Sequence, residues 1–143
     1  MAEATLHLTV QAHIQRRNEL QRLISELQST KSLAIYSQTD EQSLLSSEKH
    51  SVRDYFKGLW DEDPELRETY ASYTEIPDFE EEIDRITAMH QEKIAELAAW
   101  ELSIDNEITT ASTELEEVKA YLDSYKQMLS SNISDDFDYG LGG

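Results

Sequence analysis

The chain has 143 residues, of which 38% are hydrophobic and 29% charged, with no cysteine and a formal net charge of −18. Without cysteine there is no disulfide, thiolate metal site or Cys nucleophile. The acidic balance disfavours direct binding to nucleic acid or an anionic membrane, because phosphates are repelled rather than neutralised.

The apolar share lies below the about 45–50% of ordinary globular chains. An elongated architecture needs only a narrow apolar seam and suits this composition better than a single compact core. The charge is uneven. Residues 1–57 carry seven acids and seven bases, whereas residues 58–143 carry 23 acids against five bases. A solvated acidic face is the simplest reading of that excess. No apolar run approaches the roughly 20 residues of a membrane span. Residues 1–10 lack a basic stretch followed by an apolar core, so a cleavable signal peptide is not expected. The expected location is the cytoplasm, or outside the cell by a route that uses no such signal.

The first periodic segment covers about residues 3–57. Leu6, Val10, His13, Leu20, Ile24, Leu27 and Ala34 recur at steps of three and four or their sums, with Arg17 and Lys31 interrupting. Leu45, Val52, Phe56 and Leu59 continue the stripe more weakly. Thr39 with Gln42 has the spacing of a capping box, but a continuous or merely kinked helix is favoured there.

Gly58 follows Lys57 as a helix stop should. Asp63 is a good N-cap, with Pro64 at the first helical position and Glu65 behind it. A short helix over about 64–72 is expected, then a loop over 74–78. Asp78 caps again, with Glu81 three residues on. Asp61, Glu62, Asp63, Glu80, Glu81 and Glu82 define an acidic tip around this connection; residues 58–84 hold eleven acids and one base, Arg67. Trp60, Tyr70, Tyr73 and Phe79, led in by Tyr55 and Phe56, read as the miniature core of the connection.

The last segment is the strongest signal. Phe79, Ile83, Ile86, His90, Lys93, Leu97, Trp100 and Ile104 follow a heptad alternation. Ile108, Ala111, Leu115, Val118, Leu122, Tyr125 and Leu129 then do so without a polar interruption. The step from Ile104 to Ile108 adds a second four in succession, a stutter. No Gly or Pro occurs over 79–132, so a helix roughly 80 Å long is expected. Trp100 is expected in the core.

The expected fold is all-α: a long, coiled-coil-like antiparallel helical hairpin over 1–133. Its parts are a helix at about 3–57, a short helical acidic tip at 58–78 and a helix at about 79–132. Residues 134–143 are expected to form a flexible acidic tail. The alternative is a compact bundle of three or four helices, made by a break near Thr39. Two helices leave apolar edges uncovered, so self-association or a partner is expected. The interaction seam is assigned to Ile108, Ala111, Leu115, Val118, Leu122, Tyr125 and Leu129.

No catalytic, cofactor or metal residues are assigned. A helical metal site calls for Glu-x-x-His pairs or His-Glu-x-x-His. The residues three before His7, His13, His50 and His90 are Ala4, Val10, Ser47 and Thr87. The histidines therefore read as surface or seam residues. Asp61, Asp63 and Glu65 begin like a calcium loop. The sixth position, however, is Leu66 and the twelfth is Ser72, where Gly and Glu are required. No Gly-rich phosphate loop or Gly-x-Ser-x-Gly elbow is present.

The run Glu117-Val118-Lys119-Ala120-Tyr121-Leu122-Asp123, with Asn132-Ile133 and Phe137, resembles the C-terminal helix of type III secretion needle and filament subunits. That resemblance implies a Cys-free helical hairpin with a Pro-containing turn that polymerises through its terminal helices. The chain departs from the pattern in being longer and in carrying acids beyond Ile133.

The leading functional expectation is a non-enzymatic structural or interaction protein. Its hairpin would assemble with itself or pack on a helical partner, as a subunit of an appendage, a secretion apparatus or a phage assembly. A second reading is an acidic decoy that imitates a phosphate backbone and occupies a basic cleft. A third is a small helical chaperone or adaptor. The expected partners are proteins, either a second copy or a helical or basic partner, with no direct nucleic acid and no cofactor.

Overall fold

A computed structural model describes the backbone of residues 2–142 and the side chains of residues 4–131. The order is α1 (Ala2–Glu62), α2 (Pro64–Thr69), a single 3-10 turn (Tyr73–Glu75) and α3 (Pro77–Gly142). The fold is all-α, with no strand among the described residues. The tail expected over 134–143 has its side chains outside the described residues.

α1 is unbroken through Thr39, whose hydroxyl donates to Ile35 O, 3.2 Å away, instead of opening a new cap. The helix also passes through Gly58 and ends at Glu62, later than Gly58 suggested. A helical Gly costs about 1 kcal/mol relative to Ala. Packing on either side, by Phe56 and Trp60, outweighs that.

Pro64 then starts α2, with Asp63 as N-cap accepting from Glu65 N. α2 stops at Thr69, three residues short of the expected end. Ser72 caps the 3-10 turn. The last helix begins at Pro77 rather than after an Asp78 cap. Proline suits a first helical position, where its missing N–H has no partner to lose.

The chain forms two compact units, each drawing on both long helices. One comprises Met1–Thr30 and Ile104–Gly143. Its core is Leu20, Ala111, Leu115 and Val118, with Ile24 and Leu122 packed against it. Leu20 is 1% exposed, and burying a leucine contributes about 1.5–3 kcal/mol. Beside that core, Arg16 Nε and Nη2 each donate to a Glu114 carboxylate oxygen at 2.8 Å. Glu114, and secondarily Glu19, raises the Arg16 pKa, while Arg16 lowers that of Glu114. His13 meets Tyr121 and Tyr125 edge-on, with centroids 5.4 Å apart in both pairs.

The other unit is Lys31–Ser103. Its core is Phe56, Ile76 and Phe79, surrounded by Val52, Trp60, Leu66, Tyr70, Tyr73 and Ile83. Phe79 receives Phe56 and Tyr73 edge-on, at 5.6 and 5.4 Å, an arrangement favoured by the ring quadrupoles. Trp60 Nε1 donates to Tyr70 O at 3.0 Å, fastening the connection to α1. The aromatic residues of the connection are thus its core, except Tyr55, which stays 63% exposed.

The inward register of α3 differs from expectation between residues 93 and 104. Ile94, Leu97, Glu101 and Ile104 are turned in, while Lys93 and Trp100 are exposed, Trp100 by 40%. Glu101 takes the inward place because Gln38 of α1 donates to it at 3.1 Å. The two successive steps of four therefore run Ile86–His90–Ile94, and the alternation from Ile94 to Leu129 is regular.

Candidate functional site

The seven assigned seam residues divide by depth. Ala111, Leu115 and Val118 are buried; Ile108, Leu122, Tyr125 and Leu129 are half-buried. The buried three pack with Leu20 of α1 in the same unit. This apolar stripe is therefore largely used inside the chain. Among the described residues, the large apolar side chains left exposed on this unit are Leu8, Leu23, Tyr121 and Met128.

The acidic-tip residues are on separate elements of the second unit. Asp61 and Glu62 are exposed in the last turn of α1, and Asp63 is half-buried as the α2 cap. Glu80 and Glu81 are exposed in the first turns of α3. Glu82 is half-buried and pairs with Arg85 through both its oxygens. Arg85 lowers the Glu82 pKa, and Glu82 raises that of Arg85. The tip is thus an array of mostly free carboxylates. Asp78, Glu81 and Glu82 also line an open groove whose apolar side is Val52, Tyr55 and Phe56, with Ser51 and Arg85 completing it.

A polar layer lies further along α1 and α3 in the same unit. His90 is 3% exposed, the only buried polar side chain among the described residues. Its Nδ1 is 2.5 Å from Glu41 Oε1 and its Nε2 is 3.0 Å from Glu48 Oε2. The Glu48 contact has ion-pair distance, but Nε2 lacks an aligned hydrogen bond. Lys93 Nζ is 3.9 Å from the same Glu41 oxygen. Glu48 foremost and Glu41 after it raise the His90 pKa, and desolvation opposes them. The two carboxylates favour the imidazolium form of His90, against the desolvation that penalises it.

Sequence reasoning placed His90 on the seam but did not find its partners. The signal was present in part. Glu41 and Glu48 are seven residues apart, in register with Leu45 and Val52. Carboxylates at inward heptad positions call for a cationic or hydrogen-bond-donating neighbour. Which neighbour meets them is decided by the other helix.

The described residues contain no group of three or more His, Cys, Asp or Glu arranged to hold a metal ion. Within the same residues no helix is long and apolar enough to cross a membrane. No family model, curated protein or solved structure matches the chain.

Proposed function

We propose that the chain is a non-enzymatic interaction protein, in which α1 and α3 run antiparallel as a helical hairpin within each unit. Its outer faces would associate with a second copy or a helical partner. The order of contacts supports the hairpin. In the first unit His13 meets Tyr121 and Tyr125, whereas Arg16 meets Glu114. In the second, Gln38 meets Glu101, Glu41 meets His90 and Phe56 meets Phe79. Ascending numbers on α1 meet descending numbers on α3.

The observation that carries the association is the set of large apolar side chains left open once that pairing is made. Leu33, Tyr36, Leu44, Met89, Trp100 and Leu102 are exposed in the second unit, each unit having its own set. Exposed apolar surface of this kind marks contact sites when it is contiguous. An appendage, secretion or phage assembly subunit is the setting that fits an all-helical, self-packing chain. Size-exclusion chromatography with light scattering tests it: polymers or defined oligomers are expected, and a monomer at all concentrations removes self-assembly.

The exposed carboxylates of Asp61, Glu62, Glu80 and Glu81 favour a second reading, an acidic decoy for a basic cleft. A salt-sensitive complex with a DNA-binding protein, formed by an otherwise monomeric chain, would select that reading.

A further inference from the structure

We propose that the groove between Val52, Tyr55 and Phe56 on α1 and Asp78, Glu81 and Glu82 on α3 is a docking site for a basic amphipathic helix of a partner protein. The inference deepens the interaction reading by fixing the surface and the chemistry of its occupant.

The apolar side comes first. Phe56 is held by Phe79 below it, and Tyr55 stands edge-on to Phe56 at 5.3 Å with most of its ring in solvent. An exposed tyrosine beside a fixed aromatic floor offers a rigid amphipathic contact at low entropic cost. The opposite side is charged. Asp78 and Glu81 are exposed and make no ion pair within the described residues. Glu82 is engaged by Arg85, leaving two free carboxylates on that rim. Both walls belong to the same unit.

The surface also has the length a helix requires. On α3, residues 78, 82, 85 and 89 recur at steps of four, three and four, so Met89 lies on the face of the groove. Leu44, Ser51 and Tyr55 recur likewise on α1, at steps of seven and four. Leu44 and Met89 are 46% and 38% exposed. Residues 78–89 span roughly 16 Å of helix axis, two to three turns of an occupant.

Charge complementarity selects that occupant. A second copy docking through this same face by a two-fold axis would set acid against acid. An anionic membrane or nucleic acid is repelled for the same reason. A helix with leucine-like residues at i, i+3 or i+4 and i+7, flanked by Lys or Arg, meets both walls with matching chemistry.

The test uses the full chain and a fluorescent Leu/Lys peptide of about 18 residues, five helical turns with all leucines on one face. The control is an isomer of identical composition with the leucines dispersed. The facially ordered peptide should bind at least about tenfold more tightly by anisotropy. Tyr55→Ala and Glu81→Lys should each weaken it by about fivefold or more, as expected of an anchor and its charged rim. Gln21→Ala, at an exposed position of the other unit, should leave it unchanged. Circular dichroism confirms that each variant keeps its helix content.

Equal binding of the two isomers would reduce the effect to bulk charge and overturn the groove. Unchanged affinity in Tyr55→Ala, or an equal loss in Gln21→Ala, would do the same. Light scattering of the free chain separates the two claims. A chain that oligomerises without preferring the ordered peptide loses the groove and keeps the interaction reading. A monomer that prefers the ordered peptide loses self-assembly and keeps the groove.

Discussion

Glu41 reaches His90 across the two long helices, Oε1 to Nδ1 at 2.5 Å, and thereby joins two polar side chains at inward positions of the register. Glu48 closes on the opposite ring nitrogen. Lys93 approaches Glu41, and Arg85 adds a more distant interaction with Glu48.

This arrangement makes stability depend on pH in a stated direction. The folded His90 pKa lies above its ordinary value, through Glu48 first and Glu41 second. The protonated ring is therefore worth more folded than unfolded. Its contribution is complete below the unfolded value of about 6.5 and is lost as pH rises through the higher folded value. The melting temperature should fall as pH is raised from neutrality, and His90→Gln should flatten that slope. An NMR titration of the His90 ring with a midpoint at or below 6.5 would refute the assignment.

Core substitutions should separate inward from outward seam positions. Leu20→Ala should cost about 2–4 kcal/mol, since a cavity replaces a buried leucine. Leu115→Asp should cost several kcal/mol by burying an unpaired charge. Trp100→Ala should cost less than about 1 kcal/mol, despite the size of the residue, because its ring lies on the flank. Urea unfolding of the three variants measures the order. A Trp100 effect larger than that of Leu20 would return the indole to the core.

Gly58 gives a stabilising prediction. It sits in an uninterrupted helix, and a Cβ added there meets nothing within 4 Å. Gly58→Ala should therefore raise stability by about 0.5–1 kcal/mol, by lowering the entropy of the unfolded chain. A lower melting temperature would mean that the backbone at this position is not helical in solution.

Salt should act in opposite directions on the free chain and on a complex. Eleven acids against Arg67 over 58–84 repel one another, and moderate salt should raise the melting temperature. The same salt should weaken a complex with a basic partner by slowing association. Reversal of Glu80, Glu81 and Glu82 to Lys should reduce such binding while helix content persists. It removes the Glu82–Arg85 pair and carboxylates near a helix N-terminus, so some stability is lost with it. Binding and self-assembly that both survive the reversal would leave the acidic tip only a solvated surface.

The helical class, the two long elements and the punctuation at Asp63-Pro64 are determined by the sequence. Period-3.6 patterning and the fixed φ of proline act locally. The same holds for the stripe from Ile108 to Leu129, whose apolar residues have no rival register. Other features depend on what lies opposite. Gly58 and Thr39 carry local stop signals worth about 1 kcal/mol or less, which packing overrides. Between His90 and Ile104 the pattern admits two registers, one turning Trp100 inward and one turning Glu101 inward. Apolarity alone prefers the tryptophan. Gln38 on α1 supplies the hydrogen bond that selects the glutamate. The His90 cluster is of the same kind, since a buried imidazole and its two carboxylates come from helix segments over forty residues apart. Only tertiary structure brings them within Coulombic reach, because burying any one of them alone is unfavourable and no local spacing rule encodes the compensation.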